Sequence, residues 1–98
     1  SLRSVAYCNA IKAGGASEFD FLFNQLKQNN KANVKSDLLI GLSCTKDNYL
    51  LDKFLNDRLT NSSDIVISLR YVILRSPSYL FAWNFIKNNW NEIYEKFV

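Results

Sequence analysis

The clearest feature of the sequence is a spacing. Phe19, Leu22, Phe23 and Leu26 fall at i, i+3, i+4 and i+7, so an α-helix there carries one apolar face. Ser17 and Asp20 have the offset of a capping box at its start, and the polar run Gln28, Asn29, Asn30, Lys31 ends it. Phe21 lies off the stripe, which predicts contacts on two sides. Before it, Leu2 to Ala13 reads as a helix stopped at Gly14-Gly15, residues that tolerate a left-handed C-terminal turn.

A third helix, about Asn33 to Ser43, brings Leu38, Leu39 and Leu42 together. Gly41 inside it costs ~1 kcal/mol against alanine, which points to a close helix approach. Thr45 is placed to cap a fourth helix, with Asp47 in its first turn. In that helix Leu50, Leu51, Phe54 and Leu55 face one way, and Asp52, Lys53, Asn56 and Asp57 the other.

The stretch from Ile65 to Leu74 is ambiguous. Its alternation and β-branched residues suit a strand, yet Ile65, Leu69, Val72 and Ile73 also form a helical stripe. No second strand is present to pair with it, and a lone strand leaves backbone groups unbonded. The stretch therefore reads as a buried helix ended by Ser76-Pro77. Phe81, Phe85 and Ile86 share a face, with Ala82 as a small neighbour where another helix can approach. Asn88 and Asn89 interrupt this pattern as cap residues, and Ile93, Tyr94 and Phe97 resume it. These aromatic stripes are read as core packing. The fold expected is all-α: about six helices in stacked antiparallel hairpins, α-solenoid-like in the manner of HEAT or armadillo arrays, although no sequence repeat marks it.

Composition narrows the function. Ninety-eight residues, 48% hydrophobic and 21% charged, support one small folded unit over 1–98. A net charge of +3 with no continuous basic stripe argues against nucleic acid, since Asn29 and Asn30 break the series Lys27, Lys31, Lys35. No apolar run reaches the roughly 18 residues of a membrane span, and no signal peptide is visible. Histidine is absent and cysteine numbers two. That removes histidine-based catalytic dyads and an ordinary zinc site, so no catalytic or metal-binding residue is assigned. Asp52 and Asp57 form the available carboxylate pair, on a face where solvated charge is the ordinary explanation. Methionine is also absent, and the expectation is of a piece of something longer.

Three segments in series resemble one family. Val5-Ala6-Tyr7-Cys8-Asn9-Ala10-Ile11 with Gly14-Gly15 is similar to a Val-Tyr-Cys-x-Ala…Gly segment. Asp37 to Thr45 resembles a Leu-Leu-x-Ala-Leu-x-Cys-Thr helix. Ala82-Trp83-Asn84-Phe85 with Asn88-Asn89-Trp90 resembles an Ala-Trp-x-Phe…Asn-Trp signature, in which Trp83, Phe85, Asn89 and Trp90 are structural. Together they resemble the C-terminal helical domain of aminopeptidase N-like zinc metallopeptidases. Asp64 alone remains of the family's Arg-x-Gln-Asp segment, and Pro77 or Ser78 stands where the family often has glycine.

The resemblance implies a catalytic domain earlier in the same polypeptide, holding zinc through a His-Glu-x-x-His motif. None of those residues occurs here, so the cofactor and the chemistry belong to the parent. In relatives this helical domain closes over the cleft, contacts longer peptides and in some members forms a homodimer. The resemblance also implies a Cys8–Cys44 disulfide, as in cell-surface members, and hence an extracellular or secretory location. Free buried thiols are the alternative for a cytosolic protein. Asn61-Ser62-Ser63 is the one glycosylation sequon. Other readings are a helical interaction module, such as a receptor epitope or dimer contact, and part of a catalytically dead homologue.

The two ends are expected to differ. Leu2, Val5, Ala6, Tyr7, Ala10 and Ile11 spread around the first helix, which predicts an uncovered apolar surface and self-association there. Asn91, Glu92, Glu95 and Lys96 predict a polar outer face at the other end.

Overall fold

The computed structural model describes residues 1–97. Seven helices follow in order: α1 (Leu2–Ala13), α2 (Ala16–Gln28), α3 (Ala32–Leu42), α4 (Asn48–Asn61), α5 (Ile65–Arg75), α6 (Tyr79–Asn88) and α7 (Trp90–Phe97). No strand occurs among the described residues, so the ambiguous stretch is helical. The count is seven rather than about six, and the break between the last two falls at Asn89, within the interruption the sequence marks. The Asn89 backbone N–H and side-chain Nδ2 both donate to the Phe85 carbonyl, which closes α6 before α7 begins.

Packing follows an i, i+2 rule as well as an i, i+1 rule. α1 packs on α3, α3 on α5 and α5 on α7, while α2 packs on both α3 and α4. This gives one row of odd-numbered helices and a second row beside it, the all-α stack expected. α5 touches α3, α4, α6 and α7 and joins the halves. The core runs along the seam: Phe19, Leu26, Leu38, Leu42, Leu51, Phe54, Leu55, Ile65 and Val72 are fully enclosed. Phe54 meets Phe19 and Phe23 edge-on at ring separations of 6.5 and 6.1 Å, the arrangement aromatic quadrupoles favour.

Several helix ends differ in detail from the expectation. α2 begins at Ala16, so Glu18 rather than Asp20 occupies its third position and accepts the Gly15 N–H at 2.9 Å. The longer glutamate reaches back where aspartate would not. At α4 the cap is Asp47, whose Oδ1 accepts from the N–H groups of Tyr49 and Leu50. Thr45 stands two residues earlier and accepts the Asp47 N–H. Gly14 takes φ −96° and ψ −173°, an extended exit rather than a left-handed turn. Ser76, extended before Pro77, ends α5 as expected.

Two turns are tied together at one edge. Ser76 Oγ donates to the Thr45 carbonyl at 2.7 Å, Ser78 Oγ donates to the Lys46 carbonyl, and Ser78 N–H donates to Ser76 Oγ. The α3–α4 and α5–α6 connections thus share one polar seam.

Candidate functional site

The most extensive helix–helix contact among the described residues is that of α1 with α3. Gly41 lets the helices meet there, because a Cβ at that position would collide with Tyr7 Cβ and lie 3.3 Å from the Tyr7 carbonyl carbon. One residue along, Cys8 is bridged to Cys44, with Cα atoms 5.4 Å apart and a sequence separation of 36. Arg3 Nε pairs with Asp37 Oδ2 at 3.2 Å, and Ser1 Oγ donates to Asp37 Oδ1 at 3.0 Å. A covalent bond, a steric notch and a charged pair therefore fix α1 on α3. Both cysteines are consumed, and free thiols are absent.

The second charged cluster lies where α4 ends. Arg58 is buried, with Nη1 donating to Asp64 Oδ2 at 3.1 Å and Nη2 to Asp57 Oδ2 at 2.6 Å. Asp57 also accepts from Asn61 Nδ2 at 3.0 Å and stands 3.8 Å from Lys27 Nζ. Burial pushes the Asp57 carboxyl up, but hydrogen bonds from Arg58 and Asn61 and the charges of Arg58 and Lys27 outweigh it. The net effect holds Asp57 below the usual carboxylate range. Asp57 is thus an ion-pair partner rather than the solvated residue expected, while Asp52 does face solvent. Among the described residues no three histidine, cysteine, aspartate or glutamate side chains gather as metal ligands. With no histidine in the sequence and both thiols bridged, the chain offers no set of donors that fits zinc.

An apolar groove of about 520 Å³ opens between α5, α6 and α7. Leu69, Ile73 and Val66 form one wall, Trp83 and Ile86 the floor edge, and Trp90, Ile93, Tyr94 and Phe97 the other wall. Arg70 is the one charged residue lining it. This placement overturns part of the core reading. Phe85, Ala82 and Ile93 are buried, but Tyr94 and Phe97 of the expected stripes are 51% and 69% exposed, and Trp83 and Trp90 beside them 48% and 54%. Trp90 and Tyr94 pack with ring centres 5.9 Å apart and planes tilted by 39°. The polar positions Asn91, Glu92, Glu95 and Lys96 are exposed as expected, yet they occupy only the outer side of α7. The C-terminal layer therefore carries an uncovered apolar face of its own.

The first helix is open over most of the surface its sequence indicated. Leu2, Val5, Ala6 and Ala10 are exposed, while Ile11 is buried and Tyr7 is half-covered. Phe21, expected to touch a second neighbour, is 63% exposed and borders a shallow recess with Tyr7, Ala10 and Leu22. Periodicity could have found the groove. Val66, Leu69, Ile73 and Leu74 make the apolar sector of α5 wider than one face, and a helix with two apolar sides has two neighbours or an open flank.

These features define a helical stacking and contact unit, with no catalytic constellation among its described residues. The chain belongs to the ERAP1-like C-terminal domain family, whose profile matches residues 1–98. Similar proteins include aminopeptidase N of Bos taurus, 35% identical, and of Homo sapiens, 28% identical, each over 99% of this chain. A membrane alanyl aminopeptidase of Heliothis virescens is 31% identical over 98% of it. The chain spans 10% of the length of each of these relatives.

Proposed function

We propose that this chain is the non-catalytic C-terminal helical portion of a cell-surface or secreted zinc aminopeptidase. It closes over the catalytic cleft and supports removal of N-terminal residues from peptides by the rest of the polypeptide. The observation that carries this reading is the alignment itself: relatives named aminopeptidases match nearly the whole chain, yet it covers a tenth of their length. On this reading zinc, which would polarise the scissile carbonyl, belongs to the rest of the polypeptide, since this chain has no histidine and no free thiol to hold it. The Cys8–Cys44 disulfide supports an oxidising, extracellular placement.

The test is a comparison of the isolated chain with the polypeptide that carries it. The expected result is zinc-dependent release of a fluorogenic amine from aminoacyl substrates by the whole polypeptide and none by the chain alone. Stoichiometric zinc or turnover in the isolated chain would overturn the assignment. An inert whole polypeptide would place the chain in a catalytically dead homologue instead.

A second reading, a contact module or homodimer, is favoured by the open apolar face of α5–α7. It adds this groove to the contact expected at helix one. Light scattering separates the two, with Val5→Glu probing α1 and Trp90→Glu probing the groove. Ile11 is unsuitable as a probe because it is buried.

A further inference from the structure

Asn61 is the last residue of α4, and the chain leaves the helix immediately after it. Ser62 takes φ −147° and ψ 162°, an extended conformation. Asn61 and Ser63 are both exposed, so the amide and the hydroxyl two residues on lie at the surface of one short connection. No other Asn-x-Ser/Thr sequence occurs in the 98 residues. Asn61 Nδ2 spends one hydrogen on Asp57 Oδ1, at 3.0 Å.

We propose that Asn61 carries an N-linked oligosaccharide. In the transfer, Asn61 Nδ2 forms a bond to the anomeric carbon of a sugar held on a lipid diphosphate. The carbon–oxygen bond to the diphosphate breaks, the lipid diphosphate leaves with the electron pair, and one amide proton is released. Nothing is oxidised or reduced. A primary amide has two N–H hydrogens and loses one, so one hydrogen is left for a bond to Asp57. The modified residue therefore fits the folded corner without disturbing the Arg58 cluster.

Two independent features converge on the same compartment. The acceptor sequence functions in the secretory pathway, and the Cys8–Cys44 bridge forms under the oxidising conditions found there. The proposal rests on the secretory placement made above and adds a location within the fold. A polar recess of about 370 Å³, lined by Lys27, Lys35, Asp57, Arg58 and Ser62, opens beside Asn61. A sugar at its rim fixes this corner as solvent-facing in the whole polypeptide, whereas Trp83 and Trp90 mark a face still free to be covered.

The experiment is expression of the whole polypeptide through a eukaryotic secretory pathway, followed by trypsin digestion and mass analysis. Cleavage after Arg58 and Arg70 isolates residues 59–70, which contain the entire acceptor sequence. The expected result is a glycopeptide that amidase release converts to the same peptide with aspartate in place of Asn61. Asn61→Gln and Ser63→Ala should each abolish it completely, while Ser62→Ala, which preserves the acceptor sequence, should retain it. Secreted, disulfide-bonded protein whose 59–70 peptide is unmodified overturns the glycan and leaves the secretory reading standing. Protein retained in the cell with free thiols and no sugar overturns both.

Discussion

Replacing Gly41 with alanine tests the α1–α3 contact directly. In an exposed helix the change would stabilise the fold by about 1 kcal/mol, because glycine is the poorer helix former. Here the new methyl collides with Tyr7 Cβ and falls 3.3 and 3.4 Å from the Tyr7 carbonyl carbon and Cα. Those are rigid backbone-proximal atoms, not the far end of a mobile side chain, so relief requires α1 itself to move. The Cys8–Cys44 bridge and the Arg3–Asp37 pair oppose that movement from adjacent positions. Inserting a carbon into a packed interior costs roughly 1–3 kcal/mol, and the bracing of α1 puts this site at roughly 2–3, so the propensity gain leaves a net loss of about 1–2 kcal/mol. Urea denaturation of the oxidised protein, with the parent and its Gly41→Ala variant compared at one slope, measures it. The loss should shrink once Cys8 and Cys44 are both replaced by alanine, since α1 is then free to slide. An oxidised Gly41→Ala protein as stable as its parent, or more so, would refute the reasoning.

Reducing the bridge should cost about 4 kcal/mol in the chain-entropy relation for a loop this long, read as a lower urea midpoint in reductant. Asp57→Asn together with Asp64→Asn leaves buried Arg58 without an anionic partner and should cost about 3–5 kcal/mol, with each single change well below half of that. Asp57 has a folded-state pKa below its unfolded value, so its stabilisation is complete at neutral pH. It is lost as pH falls below about 4, and urea midpoints against pH should be flatter there in Asp57→Asn. Trp90→Gln should change stability by less than about 1 kcal/mol. Phe54→Ala, at a fully enclosed ring in contact with two others, should cost about 3–5 kcal/mol.

The helices were legible wherever a stripe repeated. Phe19, Leu22, Phe23 and Leu26 are all buried, as are Leu38, Leu39 and Leu42, and Gly41 does mark the close approach its position suggested. Caps were less legible because several polar residues compete at each helix start, and side-chain length decides between them. Glu18 reaches the Gly15 N–H, and Asp47 reaches two free N–H groups. The tryptophans exposed a deeper limit. Periodicity tells which residues share a face, but not whether anything lies opposite that face. Trp83 and Trp90 obey a core-like spacing and still look onto an open groove. The Asp57–Arg58–Asp64 cluster was hidden for a related reason. A buried arginine looks like a surface one until two helices are placed around it.

The helix with the least local claim to its structure, α5, is the one that touches both halves of the stack. Its β-branched residues give it weak intrinsic helicity, so most of its stability comes from neighbours already in place. Until α3 and α4 have assembled, α5 has little reason to be helical, and without α5 neither α6 nor α7 has a surface to rest on. Damage at either end is therefore transmitted rather than contained. The chain should melt in one transition, its most slowly exchanging amides lying in α5 and the elements that flank it. A segment whose sequence leaves its own conformation undecided becomes the link that makes folding all-or-none.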